Sequence, residues 1–329
     1  MNNNHCLKDP IDIVYLWCDG DDPSFKLQKK ILMEKMGIFP DENEELFGEK
    51  RFSNHDELKY SLRSVYSYLP WVNHIYIVTN KQIPTWLDKH PKLTIVDHTE
   101  IIPKEFLPTF SSLTIETYIT KIKNLSEKFL YFNDDLFINR QLLPADFFYH
   151  NKPIIWVKNF KPNLKIDDYE LLIKKQTHPW NRSLLKAWGV FCSQNNLKVP
   201  YMSPNHNVDA YTKTAYDNVL KKYPELVKLN SSHFRTGQEI SRHIFAYEMI
   251  YLNGCKVVKR ASETVVGKIL CFLKLKNTTS VGGKTLKKLK KNIDLYRPNC
   301  FCINEIDQDK DAFISFLQTK FPHKAPWEK

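Results

Sequence analysis

Hydrophobic positions along the chain fall into two kinds of pattern. The first is a set of short, nearly continuous apolar runs: "IDIVYLW" (11–17), "HIYIVT" (74–79), "LTIVDHT" (93–99) and "KFLYFNDDLFI" (128–138). Continuous rather than alternating runs of this length predict strands buried on both faces. The second is a helical spacing. Leu58, Leu62, Val65, Tyr66 and Leu69 recur at i, i+4, i+7, i+8 and i+11, one face of a helix. Asn54 with Glu57 three residues on predicts a capping box at its start, and Pro70 its end. Further helices are expected over about 112–125, 208–222, 238–252 and 309–320.

Alternating strands and helices predict an α/β fold, Rossmann-like or GT-A-like, with a mixed or mostly parallel sheet flanked by helices. Ligands in such sheets bind at the carboxyl ends of the strands. The first run ends in "CDGDDP" and the fourth in "NDD", so both acidic clusters are expected at that edge. One catalytic domain is expected over 1–329: a nucleotide-binding half (8–150), a helical or irregular insertion or lid (151–205), and a C-terminal half (206–329). The insertion is set apart by Pro153, Pro162, Pro179, Pro200 and Pro204, with Trp156, Trp180 and Trp188.

Composition narrows the class. With 329 residues, 42% of them hydrophobic, the chain has enough apolar material for a sizeable core. Nine glycines argue against Gly-rich phosphate loops. No run approaches the roughly 18 apolar residues of a membrane span, and the start "MNNNHCLKDP" has no apolar signal core. A cytoplasmic protein is expected. The seven cysteines form no CxxC pair and read as reduced thiols. The net charge is +11, with five lysines and no acid in "KTLKKLKKN" (284–292). Lys284–Lys291 is therefore a candidate contact for an anionic partner, such as an acidic polymer or the inner face of the cell membrane. No nucleic-acid motif is present, and no nucleic-acid partner is expected.

Four clusters carry candidate chemistry. Asp19, Asp21 and Asp22 form an acidic turn after the first strand. Asn133, Asp134 and Asp135 end the fourth, where adjacent carboxylates suit a divalent metal held against a diphosphate. His206 stands in "SPNHNVDAYTK". His233, Arg235 and Arg242 stand in "SSHFRTGQEISR", where the guanidinium fork suits phosphate oxygens. A base, a phosphate-binding arginine and a metal-suited acid pair are the equipment of phosphoryl or glycosyl transfer from a nucleotide sugar. The residues alone leave those two open.

Several segments, in order, resemble the Stealth family of hexose-1-phosphate transferases: "IDIVYLWCDGDDP"; "RFSNHDELKYSLRSVYSYLPWVNHIYIVTNKQIPTWLD" through "LPTFSSLTIE" to "LSEKFLYFNDDLF"; "NHNVDAYTKTAYDNVLKKYPE" with "SSHFRTGQEISR"; and "FCINE" with "FPHKAPWE". The resemblance implies a reacting centre of Glu116, Asp135, His206 and Arg235. His206 would be the general base, Arg235 would face phosphoryl oxygens, and Asp134 or Asp135 would hold magnesium or manganese. Asp19, Asp22, Arg51, Arg63, Asn133 and His233 are the implied substrate contacts. The implied reaction moves a sugar 1-phosphate from a UDP-sugar to a hydroxyl of a growing polysaccharide and releases UMP. The alternative is a metal-dependent glycosyltransferase that releases UDP. Where the family pattern has His-x-Pro, this chain has His206-Asn207-Val208, and where it has Asn-Asp, this chain has Asn304-Glu305.

Overall fold

A computed structural model describes residues 9–39, 44–283, 285–302 and 310–329. Cys6, Lys284, Asn304 and Glu305 lie outside the described residues. The central sheet holds β1 (Ile11–Leu16), β2 (Ile75–Thr79), β3 (Leu93–Asp97), β4 (Lys128–Asn133) and β5 (Asp209–Thr212). Its order is β5-β4-β1-β2-β3. β1 pairs in parallel with β2 and with β4, β2 pairs in parallel with β3, and β5 closes the edge antiparallel to β4. The chain builds β1, β2 and β3 in one direction and then places β4 on the other side of β1. The strand order reverses between β1 and β4, which opens a crevice at their carboxyl ends.

Both faces of this sheet are covered, as the continuous runs require. Ile13, Tyr15, Leu130 and Phe132 point into one apolar cluster, and Val14, Phe129 and Tyr131 into another. Phe129 and Phe132 are fully buried, and each such side chain contributes about 2–3 kcal/mol. Asp12, buried within β1, is satisfied by Asn73 Nδ2 (2.8 Å) and the Ser126 amide (2.7 Å). A smaller sheet of Ser280–Gly282, Cys300–Cys302 and Leu136–Ile138 continues from the end of β4, with Cys302 opposite Leu136.

The helices used below are α1 (Pro23–Met36), α2 (Glu57–Tyr68), α3 (Ser112–Tyr118), α4 (Pro179–Asn195), α5 (Lys213–Lys222), α6 (Val265–Phe272) and α7 (Leu286–Tyr296). Four boundaries differ from the sequence expectation. α2 starts at Glu57, not Asn54. Asn54 Oδ1 turns back to the Asp56 amide (3.1 Å) and Glu57 takes the His55 amide (2.6 Å), so both carry an entry turn with Asp56 at φ 61°. α3 stops at Tyr118 and continues only as a tight turn over Ile119–Lys121. The 208–222 segment opens as β5, because pairing with β4 overrides the helical spacing. In 238–252 regular helix is confined to Ile244–Tyr247, followed by a π-helical turn over Glu248–Leu252. Upstream of it, the Asn230 side chain grips Ile240 by both backbone groups at 2.9 Å, holding that stretch extended.

The 151–205 segment contains a seven-residue strand, Ile155–Lys161, and α4, which at 17 residues is long enough to span the sheet. Pro179 sits in the first turn of α4, where a missing amide costs nothing. Trp188 and Phe191 of α4 are fully buried in the core that covers one face of β1 and β4. Tyr169 crosses α4 at Gly189, where an added Cβ would lie 2.3 Å from the ring.

Candidate active site

A cavity of about 580 Å³ opens at the carboxyl ends of β1 and β4. Its wall includes Asn133, Asp134 and Asp135 from the end of β4, Glu116 from α3, and His206 and Arg235 from the C-terminal half. The four residues of the expected reacting centre therefore face one space. Arg51 also lines it.

The acidic edge is crowded. His206 Nε2 lies 3.3 Å from Asp135 Oδ1, and Cys302 Sγ donates to Asp135 Oδ2 at 3.2 Å. Burial raises the Asp134 carboxyl well above the usual carboxylate range, and Asp135 and Glu57 push it further. Burial likewise raises Glu57, with Asp135 adding to it. Among the described residues no lysine or arginine forms an ion pair with Asp134 or Asp135. Partial desolvation opposes protonation of His206, which is still 41% exposed, but the Asp135 carboxylate outweighs it and raises the His206 pKa. The Cys302 thiol is raised by burial first and Asp135 second, so it stays protonated and acts as a donor. Surplus carboxylate oxygens beside a protonated thiol suit a hard divalent cation and not a thiolate-bound one. Asp135, His206 and Cys302 present ligand atoms within 4.8 Å of one another, and Asp135 is the carboxylate that group offers to such a cation.

The opposite charge is supplied by two arginines. Arg235 Nη2 donates to Ser112 Oγ at the start of α3 (2.7 Å), while its buried Nε has no partner. Burial lowers its pKa. Arg51 donates to the Leu46 carbonyl (2.7 Å) and is pushed down to about 9, by burial first and by Arg235 second. Two guanidiniums lining one cavity, close enough that Arg235 helps lower the Arg51 pKa, offer donors that suit an anion.

Glu116 is held by a cluster that the sequence reading placed only in part. Its Oε1 accepts from Tyr131 OH (3.0 Å) and from Arg242 Nη1 (3.0 Å). Its Oε2 is buried with no partner. Arg242 also binds Asp209 Oδ2 (2.9 Å) and Tyr211 OH (3.1 Å), and lies 4.4 Å over the Tyr131 ring. The sequence offers Arg242 only as a guanidinium suited to phosphate, whereas in the fold it is spent on Glu116 and Asp209. The missed signal is Asp209, Tyr211 and Tyr131, which β5–β4 pairing brings beside it.

Four expected substrate contacts take other roles. Arg63 is turned away from the cavity and buried against Glu328, with Nε at 2.8 Å and Nη2 at 2.7 Å, and Nη1 binds the Phe321 carbonyl (2.9 Å). That ion pair occupies its fork, and Arg63 is not among the residues that line the cavity. Asp22 caps α1 through the Phe25 amide (2.8 Å). Asp19 is clamped to Gln82 through both backbone groups, and its carboxylate takes the Asp21 amide (3.0 Å). His233 binds the Pro108 carbonyl (2.8 Å) and, through its own carbonyl, the Phe110 amide (2.6 Å). None of the four lines the cavity, whereas Thr109 and Phe110 beside His233 do.

His98 also lines the cavity. It is buried, with neither ring nitrogen hydrogen-bonded. Burial pushes its pKa down to about 4, against a small upward pull from Asp97. The folded protein therefore keeps His98 neutral while the unfolded chain protonates it near pH 6.5. Its contribution is full above that pH and is lost as the pH falls from about 6.5 to about 4. Chemical denaturation at pH 7 and pH 5 should show about 2 kcal/mol lost to this group. His98→Leu should remove that part of the slope, and an unchanged slope would mean His98 protonates freely in the fold.

Comparison with known proteins bears directly on this cavity. Residues 51–155 match the family model "Stealth protein CR2, conserved region 2", a span that contains Arg51, Glu116, Asp134 and Asp135. The chain is 32% identical over 315 residues to capsular polysaccharide phosphotransferase LcbA of Neisseria meningitidis, covering 92% of this chain and 79% of that protein. The chain belongs to the Stealth family. It is also 44% identical over 260 residues to capsular polysaccharide phosphotransferase cps1A of Actinobacillus pleuropneumoniae, covering 73% of this chain and 65% of that one. This Stealth member is a transferase. Among solved structures, the bifunctional glycosyltransferase WbbM superposes with a TM-score of 0.47 at 10% identity, over 99% of this chain and 51% of that one. A likeness that loose carries no argument about chemistry. Among the described residues no helix is long and apolar enough to cross a membrane.

Proposed function

We propose that this Stealth transferase moves a sugar 1-phosphate from a UDP-sugar to a hydroxyl of a growing capsular or similar surface polysaccharide, with Mg2+ or Mn2+, and releases UMP. The acceptor oxygen bonds the phosphorus nearer the sugar, the bridging P–O bond breaks, and UMP leaves. The observation that carries this reading is the meeting in one cavity of the Asp135–His206 pair with Arg51 and Arg235. Relatives named capsular polysaccharide phosphotransferases support the glycan acceptor.

Each residue has a role set by its surroundings. Asp135 accepts from His206 Nε2 and so fixes the tautomer that leaves Nδ1 to take the acceptor's hydroxyl proton. Arg235 and Arg51 supply donors to phosphoryl oxygens as charge shifts onto the leaving phosphate. Glu116, immobilised by Arg242 and Tyr131, offers its free Oε2 to a donor or acceptor hydroxyl. A divalent metal bound at Asp134 and Asp135 would neutralise diphosphate charge.

The decisive assay identifies the nucleotide released from a panel of UDP-sugars with an oligosaccharide acceptor. UMP together with a phosphodiester phosphorus signal in the product supports the proposal; UDP with a phosphorus-free product replaces it with glycosyl transfer. His206→Ala should lower kcat by roughly 10²–10⁴-fold while leaving UDP-sugar binding within about twofold. Parallel loss of binding would remove the base role.

A further inference from the structure

α6 carries an exposed apolar face. Val265, Val266, Ile269, Phe272 and Leu273 stand between 52% and 74% exposed, and Leu275 just beyond is 72% exposed. At 100° per residue these five positions occupy about a third of the helix circumference. The opposite face holds Gly267 and Cys271, which are buried. This is a helix turned inside out: small residues face the protein and large apolar ones face away from it. It is nevertheless firmly built. Thr264 caps the Gly267 amide (3.0 Å), and Gly267 is pressed so close to the Ala261 carbonyl that a Cβ would lie 2.0 Å from it.

The charge around α6 is equally one-sided. Lys268, Lys274 and Lys276 are exposed on the helix and its exit, and α7, packed beside it, exposes Lys287, Lys288 and Lys291. From Thr264 to Cys302 the sequence carries eight lysines and one arginine against one acid, Asp294. A second copy of the same face would bring like charges together. Lysines are mobile point charges rather than geometric forks, so they suit a fluid array of anions better than a shaped protein site. The basic 284–292 stretch is thus half of a surface whose other half is apolar.

We propose that α6 and α7 dock the enzyme on an anionic bilayer surface. Val265, Val266, Ile269, Phe272 and Leu273 enter the headgroup boundary while the surrounding lysines bind lipid phosphates. The surface is coupled to the cavity. Arg260, before α6, binds Asn205 Oδ1 (3.4 Å), and after it Ser280 Oγ binds the same oxygen (2.8 Å) and Thr279 takes the Asn205 amide (3.0 Å). Asn205 lines the cavity beside His206, so docking fixes how the cavity is presented to an acceptor near the membrane.

The test is co-sedimentation of the full chain with vesicles of phosphatidylcholine alone or mixed with phosphatidylglycerol. Mixed vesicles should bind roughly tenfold or more tightly, and salt should weaken the binding. Ile269→Asn/Phe272→Asn and Lys287→Glu/Lys288→Glu/Lys291→Glu should each cost roughly tenfold. Both variants should keep the wild-type melting midpoint and turnover on a water-soluble acceptor, which separates docking from the proposed chemistry. Val265→Asn/Val266→Asn provides a second apolar variant if the first misfolds. Equal binding to neutral and mixed vesicles, or apolar variants that bind like wild type, would overturn the proposal. So would a wild-type dimer that the apolar variants dissociate while vesicles bind none of them.

Discussion

Arg242→Met is expected to lose about 3–5 kcal/mol of folding stability and with it most activity. The side chain is 12% exposed and holds two carboxylates, Glu116 on α3 and Asp209 on β5, with Tyr211 and the Tyr131 ring completing the cage. Methionine fills the volume but leaves Glu116 and Asp209 facing each other with no cation, and an unpaired buried charge costs more than the pair itself contributes. The double variant Arg242→Met/Glu116→Gln should therefore be more stable than Arg242→Met alone. That non-additivity, read by urea denaturation, separates a charge effect from a packing effect. Arg242→Lys should rescue only weakly, since one ammonium cannot span Glu116, Asp209 and Tyr211 with the arginine fork's geometry. A loss below about 1 kcal/mol for Arg242→Met would show that water screens the cluster, as it does exposed pairs.

How far the sequence could be read follows from the range of the interactions involved. β1, β2, β3 and β4 are local hydrophobic runs, and all four are strands in the expected places. The carboxylates at the end of β4 were legible because strand polarity and the α/β crevice rule put them at the ligand edge. What failed depended on partners far along the chain. β5 carries a helical spacing, yet its four residues pair with β4 about 80 positions away. Arg63 reads as a substrate contact in a block that resembles the family until Glu328, 265 positions on, closes over it. Arg242 is the converse: its hold on Glu116 is not legible in the sequence, because its partners Glu116, Tyr131, Asp209 and Tyr211 come from α3, β4 and β5. Asp19 and Asp22 are acids in a turn, and the turn uses them. Asp22 caps α1 and Asp19 braces the loop. Only the second acidic cluster, placed after a buried strand with no cap to satisfy, kept its carboxylates for the cavity.

Asp134→Asn is expected to make the metal-free protein more stable and the enzyme far slower. Burial, then Asp135, then Glu57 raise the Asp134 pKa in the fold. A carboxyl raised in this way contributes stability that is complete below about pH 4 and lost as the pH rises through its folded pKa. At neutral pH without a cation, folding is thus taxed by charge at the end of β4. Asparagine keeps the shape and removes that charge, so urea denaturation in chelator should show a gain of about 1 kcal/mol. Manganese or magnesium should raise the melting midpoint of the wild type, because a ligand that binds only the folded state stabilises it by mass action. The same ions should raise the Asp134→Asn midpoint much less, and turnover should fall by roughly 10²–10⁴-fold, the scale of losing charge neutralisation at a transferring phosphoryl group. The two readouts are separable. A variant that is less stable in chelator would mean that the fold satisfies Asp134 without a metal. A variant with undiminished turnover and a full metal shift would move the cation away from Asp134, leaving Asp135, already tied to His206 and Cys302, as the residue to test in its place.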